Sequence, residues 1–166
     1  INVTESGIYT VNVTSEIDCE NTVQDLDGFT YLDTFEESDY YISTGATTWT
    51  QANDLCNLVG GNLIVISSEE ENTFITDLLL QDGDAYSPGV WIGLNDLESE
   101  GDFVWVNEEP LIYTNWDTPQ PNNNDGDESF ANLWINSIVF GNTGSWNDWT
   151  NDGPGGGLFF VLETPS

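Results

Sequence analysis

Oxygen-bearing side chains are concentrated in three clusters in the second half of the chain, at a spacing that suits metal binding. The clusters are Gln120-Pro121-Asn122 with Glu128 following, Trp146-Asn147-Asp148, and Asp96 with Glu100. The first two supply two acids and three amides, and Ca²⁺ takes about six to eight oxygen ligands of this mixed kind. The charges of Glu128 and Asp148 together balance one divalent cation. These residues could therefore form a Ca²⁺ site, and the alternative, which they favour when taken in isolation, is that Asn, Asp and Pro simply form turns here.

Both clusters of this candidate site are placed at loop positions, where the backbone can curl around an ion. Residues 116–128 consist largely of Pro, Asn, Asp and Gly, and so long a stretch without secondary structure is uncommon unless it is functional. Pro121 can fix the backbone so that its two neighbours present their carbonyls together, and a cis peptide before it would favour that arrangement.

The chain contains no Lys, Arg or His, while 30 of its 166 residues are Asp or Glu, so its net charge is −30. Without His or Lys, triad nucleophiles, Schiff bases and P-loop chemistry are excluded. Without cationic side chains nothing neutralises phosphate, so neither nucleic acid nor an anionic membrane is an expected partner. A glycosidase with paired carboxylates is the one enzyme class left open, and we expect no enzyme. Repulsion among the carboxylates predicts a fold that weakens when metal is removed.

Two amphipathic helices are predicted ahead of the candidate site. Thr48 begins the first as an N-cap with Gln51 at the capping-box spacing, and Gly60-Gly61 ends it. Ser67 or Ser68 begins the second, whose first turn carries acids at its positive end. The side chains predicted to be buried are Trp49, Ala52, Cys56 and Val59 in the first helix and Phe74, Ile75, Leu78 and Leu79 in the second.

Short runs of β-favouring residues predict strands around these helices. The runs are Phe29–Leu32, Tyr40–Ser43, Leu63–Ile66, Val90–Leu94, Phe103–Val106, Leu133–Ile135 and Leu158–Leu162. The chain is 38% hydrophobic with 7 Trp, which suffices for one core, and no apolar stretch approaches a membrane span. We expect residues 1–27 to form an N-terminal extension or edge strands and residues 28–166 to form the main domain, without membrane insertion.

In their order and spacing, several of these motifs resemble the C-type lectin-like domain. They are Trp91-Ile92-Gly93-Leu94, the helix Trp49-x-x-Ala52-x-x-x-Cys56 ahead of Gly60-Gly61-x-Leu63, Ser68-x-Glu70-Glu71-Asn72, and Trp146-Asn147-Asp148. The resemblance covers about residues 28–163. It implies an α+β, C-type lectin-like fold in which two helices flank small antiparallel sheets, with a long loop that binds Ca²⁺ and sugar.

The resemblance also implies roles for individual residues. The Ca²⁺ ligands would be Gln120, Asn122, Glu128, Asn147 and Asp148, and the first four of these would also bind the sugar. A second, auxiliary metal site would use Asp96, Glu100, Asn123 and Glu128. Ser129 stands where that second site usually has another acid, for which Asp125 or Asp127 could substitute.

In this family two vicinal sugar hydroxyls ligate the Ca²⁺ directly and exchange hydrogen bonds with the side chains that hold the ion. A Glu-Pro-Asn motif favours mannose-type and fucose-type sugars, and Gln-Pro-Asp favours galactose-type sugars. Here Gln120 and Asn122 are both amides, which leaves Glu128 as the chief acceptor. Because Asn122, Glu128 and Asn147 keep most of the mannose-type pattern, we expect fucose or mannose, with L-fucose first.

The departures from the family pattern concern cysteine. Phe130 and Leu162 stand where the family usually has cysteines, so the resemblance implies that both of its common disulfides are missing. Cys56 either pairs with Cys19 or is a buried thiol on the apolar face of its helix. Ile138, Val139 and Phe140 are expected to form an apolar loop beside the site.

A tryptophan ring can stack on the apolar face of a sugar, and the chain offers seven. Trp49, Trp91, Trp105 and Trp116 fall on core positions of the family, and Trp146 is expected to pack behind the site. Trp134 and Trp149 are left as the two candidates to approach the ligand.

The missing Lys and the missing disulfides together resemble the lectin modules of large Ca²⁺-dependent (RTX-type) adhesins that bacteria secrete. This implies an extracellular, cell-surface setting, cell-surface glycans as partners, other domains of a longer adhesin chain, and a role in cell adhesion and biofilm formation. The alternative is a Ca²⁺-dependent module that uses the same loop for a protein surface or for ice. Ice binding calls for a flat, regular array, often of Thr, and residues 114–127 contain none.

Overall fold

The computed structural model describes residues 26–136 and 141–166. The predicted N-terminal extension lies outside the described residues apart from its last two positions. Cys19 and the predicted apolar loop of Ile138, Val139 and Phe140 also lie outside them.

The described chain forms eight strands and two helices. The elements are β1 (Phe29–Phe35), β2 (Ser38–Ser43), α1 (Trp49–Leu58), β3 (Asn62–Leu63), α2 (Glu69–Leu80), β4 (Gly89–Asn95), β5 (Val104–Trp105), β6 (Phe130–Trp134), β7 (Trp146–Trp149) and β8 (Phe159–Pro165). Short 3₁₀ turns span Asn124–Gly126 and Pro154–Gly156. Both predicted helices and the α+β class are confirmed.

The strands pair in one eight-stranded mixed sheet rather than in separate antiparallel sheets. The strand order is β1-β2-β8-β4-β6-β7, with β3 paired to β8 and β5 paired to β4. Every pair is antiparallel except β4 with β8, which is parallel. β8 joins the two halves because it pairs with β2 along one stretch and with β4 along another.

Only the first part of the predicted strand Leu63–Ile66 belongs to a ladder. Leu63 pairs with Leu162, and the backbone of Ile64 still bonds Val161 and Gly93. The N–H of Val65 donates instead to a side chain, Oε2 of Glu163, at 3.0 Å. A side-chain acceptor therefore ends the strand at this point.

Both helices begin where capping chemistry predicts. Oγ1 of Thr48 accepts from the N–H of Gln51 at 3.4 Å, and Oγ of Ser68 accepts from the N–H of Glu71 at 3.1 Å. Three of the four side chains predicted on the inner face of α1, Trp49, Ala52 and Cys56, are buried. The fourth, Val59, is half-buried, because the helix ends at Leu58 and Val59 is its C-cap.

The inner face of α2 is more polar than predicted. Ile75 and Leu79 are buried, Phe74 and Leu78 are only half-buried, and Asn72 and Thr76 are buried. Burial of Asn72 is stabilised because its amide donates to the Gly144 carbonyl at 2.9 Å and its oxygen accepts from the Trp146 indole at 2.7 Å. The helix is thereby connected to the start of β7.

Two apolar clusters form the core. The first surrounds Trp146, which makes edge contacts with Trp105, Tyr113 and Trp116. The second contains Cys56, Phe130 and Leu162 together with α1. The apolar side chains of Phe130 and Leu162 therefore fill the two positions at which the family usually has cysteines. No cysteine partner of Cys56 occurs among the described residues, and burial raises the pKa of its thiol to about 12.

None of the helices within residues 26–136 and 141–166 combines the length and hydrophobicity that a membrane crossing requires.

Candidate functional site

The predicted metal-binding residues come from strand β7 and from the long irregular segment before β6. Asn147 and Asp148 do not lie in a loop, as predicted, but on β7, where they pair with Asn132 and Ala131 of β6. The strand forms because buried Trp146 fixes its start, accepting a backbone bond from Asp117 and donating one to Asn115. The ladder therefore holds these two ligand candidates more rigidly than a loop would.

The long segment approaches β7 as an irregular loop, which confirms that prediction. Its Gln120–Pro121 peptide is cis, as expected for a backbone that presents neighbouring carbonyls. Asn123 and Asp125 adopt left-handed conformations with φ of 43° and 63°, so the chain turns sharply between Pro121 and Glu128.

Asp148 connects the loop to the strand. Its carboxylate, 1% exposed, accepts the N–H of Asn122 at 3.0 Å and the N–H of Asn123 at 2.7 Å. Bonds to a charged acceptor are shorter and stronger than bonds between neutral groups. Asp148 thus positions the loop residues that follow Pro121.

Glu128 closes the loop from its other end. Its Oε2 accepts the N–H of Asn124 at 2.7 Å, and its own N–H donates to Oδ1 of Asn123 at 3.1 Å. Burial, more than any other cause, raises the pKa of this carboxyl; the negative charges of Asp148, Asp127 and Asp125 add to the rise, and the Asn124 N–H opposes it. A cation at this place would relieve that repulsion.

One cavity of about 210 Å³ brings most of the predicted ligands together. It is lined by Gln120, Asn122, Asn124, Glu128, Trp134, Asn147 and Trp149. Oε1 of Gln120 is buried there without a hydrogen-bond partner, which is costly unless an ion or donor compensates. The donor set of amide and carboxylate oxygens fits Ca²⁺.

Asn132 contacts a candidate metal ligand and was not predicted from the sequence. Its Oδ1 accepts from Nδ2 of Asn147 at 3.1 Å, and both side chains are buried. This bond fixes which end of the Asn147 amide is the donor. A buried polar residue in the middle of an apolar strand was the available signal, but its partner follows only from the β6–β7 register.

The second predicted metal site is less complete. Asp96 is 2% exposed, with Oδ2 accepting from Gly101 N–H at 2.8 Å and Oδ1 buried without a partner. Its backbone bonds Ser129. Over residues 26–136 and 141–166, no three acidic or cysteine side chains are grouped so as to hold one metal ion. The set of Asp96, Glu100, Asn123 and Glu128 therefore stays a prediction.

A separate acidic cavity of about 180 Å³ lies between α2, β2 and β8. Glu71 is buried there and accepts from the Tyr40 hydroxyl at 2.7 Å and from Ser67. Glu163 accepts from Ser38 and Val65. Burial, ahead of repulsion from Glu71 and Glu109, raises the Glu163 pKa. The sequence had suggested for Glu71 only a role at the helix N-terminus.

Comparison with known proteins places this arrangement in one family. The family model described as "Lectin C-type domain" matches residues 45–153. The mouse low affinity immunoglobulin epsilon Fc receptor is 32% identical over 114 residues, which are 69% of this chain and 30% of the receptor. A perlucin-like protein of the mussel Mytilus galloprovincialis is 33% identical over 110 residues, 66% of either chain. The chain thus spans less than two thirds of the length of these relatives.

A solved structure agrees in fold and sequence. The chain superimposes with a TM-score of 0.66 on the cow CD23 C-type carbohydrate-recognition domain, which was solved in the presence of a GlcNAc2Man3 oligosaccharide. The two sequences are 31% identical, and the match covers 86% of this chain and 97% of the cow CD23 domain. Members of this family bind carbohydrate and are not enzymes, so the expectation of a non-enzymatic module is confirmed at the level of the family. By its motifs, its fold and the matched family model, the chain belongs to the C-type lectin domain family.

Proposed function

We propose that this domain binds carbohydrate in a Ca²⁺-dependent manner at the cavity between the long loop and β7. The observation that carries the proposal is the buried, unpartnered Oε1 of Gln120 in a cavity lined by further oxygen donors. Gln120, Asn122, Glu128, Asn147 and Asp148 would hold the ion. The auxiliary site of Asp96, Glu100, Asn123 and Glu128 would bind a second one.

When bound, Ca²⁺ supplies a Lewis-acidic centre that two vicinal sugar hydroxyls can ligate. The side chains around it serve the same hydroxyls. Gln120, Asn122 and Asn147 present amides, whose carbonyls accept and whose N–H groups donate, while the Glu128 carboxylate only accepts. Asp148 orients the loop through the backbone N–H groups of Asn122 and Asn123.

We propose fucose-type or mannose-type sugars as ligands, L-fucose first. The mannose-type pattern survives at Asn122, Glu128 and Asn147, and only Gln120 departs from it. The mannose-containing oligosaccharide named with the cow CD23 domain supports the same class of diol.

We further propose that the domain is part of a secreted bacterial adhesin that engages cell-surface glycans outside the cell and contributes to biofilm formation. The support is the composition, since a chain with no basic residue and a charge of −30 suits a saline, Ca²⁺-containing exterior where salt screens repulsion. The relatives reported above come from animals, so this setting rests on the sequence.

A glycan array probed with and without Ca²⁺ tests the proposal. We expect binding to fucose-containing or mannose-containing glycans that EDTA abolishes and free L-fucose competes away. The Gln120→Glu variant should bind Ca²⁺ about tenfold more tightly, because it adds a charge to the ligand set. Binding to galactose alone would refute the argument from amide polarity. Retention of a protein ligand or of ice, without any sugar, would favour the alternative functions.

A further inference from the structure

The cavity that contains the predicted ligands also has an aromatic wall. Trp134 and Trp149 are its two aromatic lining residues, beside Gln120, Asn122 and Glu128. Their ring centroids are 5.3 Å apart at an interplanar angle of 73°. Two indoles are not needed to bind the proposed divalent cation, so this aromatic wall must have another role.

The strand register explains why the rings meet. Asn132 pairs with Asn147, and alternate residues of a strand lie on one face. Trp134 therefore lies two residues from Asn132 on β6, and Trp149 two residues from Asn147 on β7, both on the face that carries the asparagine pair. The two rings therefore approach each other from opposite ends of this pair.

The aromatic wall is held rigidly. Trp134 is 2% exposed, and a Cβ at Gly141 would lie 2.3 Å from its ring, so the backbone there packs against the indole. Asp117 fixes the same turn by accepting the side chain of Asn142 at 2.7 Å and its N–H at 3.2 Å. Trp149 is half-buried, which leaves part of its surface to the cavity. A preorganised surface loses less entropy on binding.

We propose that Trp149, supported by Trp134, packs against the apolar C5–C6 side of the sugar and selects 6-deoxyhexoses over their 6-hydroxylated and C6-lacking counterparts. This rests on the proposed function above. Two residues of strand place Trp149 about 7 Å beyond Asn147. A pyranose whose hydroxyls reach Asn147 and Glu128 would therefore turn its other side towards Trp149. A methyl group there removes apolar surface from water against the ring, whereas a hydroxymethyl group would lose solvation of its hydroxyl.

Three monosaccharides with the same arrangement of ring hydroxyls isolate this contact. L-Fucose carries a C6 methyl, L-galactose a hydroxymethyl and D-arabinopyranose only hydrogen. For the unmodified domain in Ca²⁺ we expect L-fucose to bind about five- to tenfold more tightly than either analogue, within the range that aromatic packing supplies. Ligand-observed saturation-transfer NMR should show the strongest transfer at the C6 methyl, with an upfield ring-current shift.

The Trp149→Ala variant should bring the three affinities to within about twofold of one another and leave Ca²⁺ affinity unchanged, while Trp149→Phe restores most of the fucose preference. Tyr86→Ala, which removes a half-buried aromatic residue that packs on Phe159, is the matched control and should change none of these values. The unmodified domain alone can overturn the proposal. It would do so by binding the three sugars with equal affinity or by showing weak saturation transfer at the C6 methyl. Absence of Ca²⁺-dependent binding to every sugar would instead refute the proposed function.

Discussion

Asp148 is a buried carboxylate on which both the loop and the predicted metal site depend. The two backbone N–H groups that it accepts belong to the residues that follow Pro121. Because no cationic side chain exists in the chain, hydrogen-bond donors and bound cations are its available compensation. Its contribution should therefore be visible both in Ca²⁺ affinity and in loop order.

Replacing Asp148 by Asn should lower Ca²⁺ affinity at least about tenfold, since a charged hydrogen-bond acceptor and an ion ligand are lost together. Isothermal titration with Ca²⁺ measures this change, and melting in EDTA reports whether the fold is kept. Asp152→Asn, at an exposed position three residues beyond the end of β7, is the control. Equal Ca²⁺ affinity in the two variants would contradict the assignment.

Glu163 is a half-buried acid without a cationic partner, and its raised pKa determines how the stability of the fold changes with pH. The pKa of Glu163 is higher in the folded state than in the unfolded state, so the folded state binds more protons. The stability that this group contributes is therefore fully present below the unfolded-state pKa, and it is lost as the pH rises through the folded-state pKa. The cause is first burial and then repulsion from Glu71 and Glu109.

Glu163→Gln should raise the free energy of unfolding in metal-free buffer at pH 7 by on the order of 1 kcal/mol. The amide can still accept from Val65 and can donate to the Ser38 hydroxyl, so the existing contacts are kept without the charge. Thermal melts in EDTA should show the gain at neutral pH and its disappearance towards pH 4. The exposed neighbour Glu37, changed to Gln, should show a much smaller gain; equal gains would refute the burial argument.

Among the elements, helix α2 depends most clearly on interactions between neighbouring residues at its N-terminus. Its first turn carries three glutamates, which interact favourably with the positive end of the helix, and Ser68 caps it. The same turn positions Glu71 against Tyr40 and leads to Asn72, which bonds Trp146. The helix start is therefore connected to the base of β7.

Ser68→Ala should destabilise the domain by about 1 kcal/mol, the usual cost of losing an N-cap, whereas Ser68→Thr should cost clearly less. Chemical denaturation monitored by tryptophan fluorescence gives both values, and the comparison separates loss of the cap from loss of packing. Equal destabilisation by Ala and Thr would indicate that the hydroxyl bond contributes nothing.

At the scale of the whole molecule, electrostatic self-repulsion opposes folding. With a net charge of −30 and no basic side chain, no side-chain ion pair can form, and relief comes from hydrogen-bond donors, salt and bound cations. Ca²⁺ acts both as a ligand of the folded state and as a counter-ion.

Raising NaCl from about 0.05 to 1 M should increase stability by about 1–2 kcal/mol, or about 2–8 °C in Tm for a domain of this size. Millimolar Ca²⁺ should add a further increase that Mg²⁺ at equal ionic strength does not match, because only specific binding to the folded state adds a linkage term. Calorimetry with an EDTA reversal measures both effects. Identical melting in Ca²⁺ and Mg²⁺ would show that screening alone acts.

The sequence by itself determined the local parts of this protein. Capping chemistry at Thr48 and Ser68 located both helix starts, and residue identity specified the oxygen donors around Pro121. β-favouring runs located seven of the eight strands, whereas β7 was predicted as a loop. These features depend on neighbours within a few residues, so the sequence contains their causes.

Tertiary structure decided what depends on contacts between distant residues. Asn147 meets Asn132, and Trp134 meets Trp149, because β6 and β7 pair in one particular register. Asn72 is buried because Trp146 reaches it from 74 positions away. A side chain's partner across such a distance follows from the packing of whole elements, which no local pattern encodes.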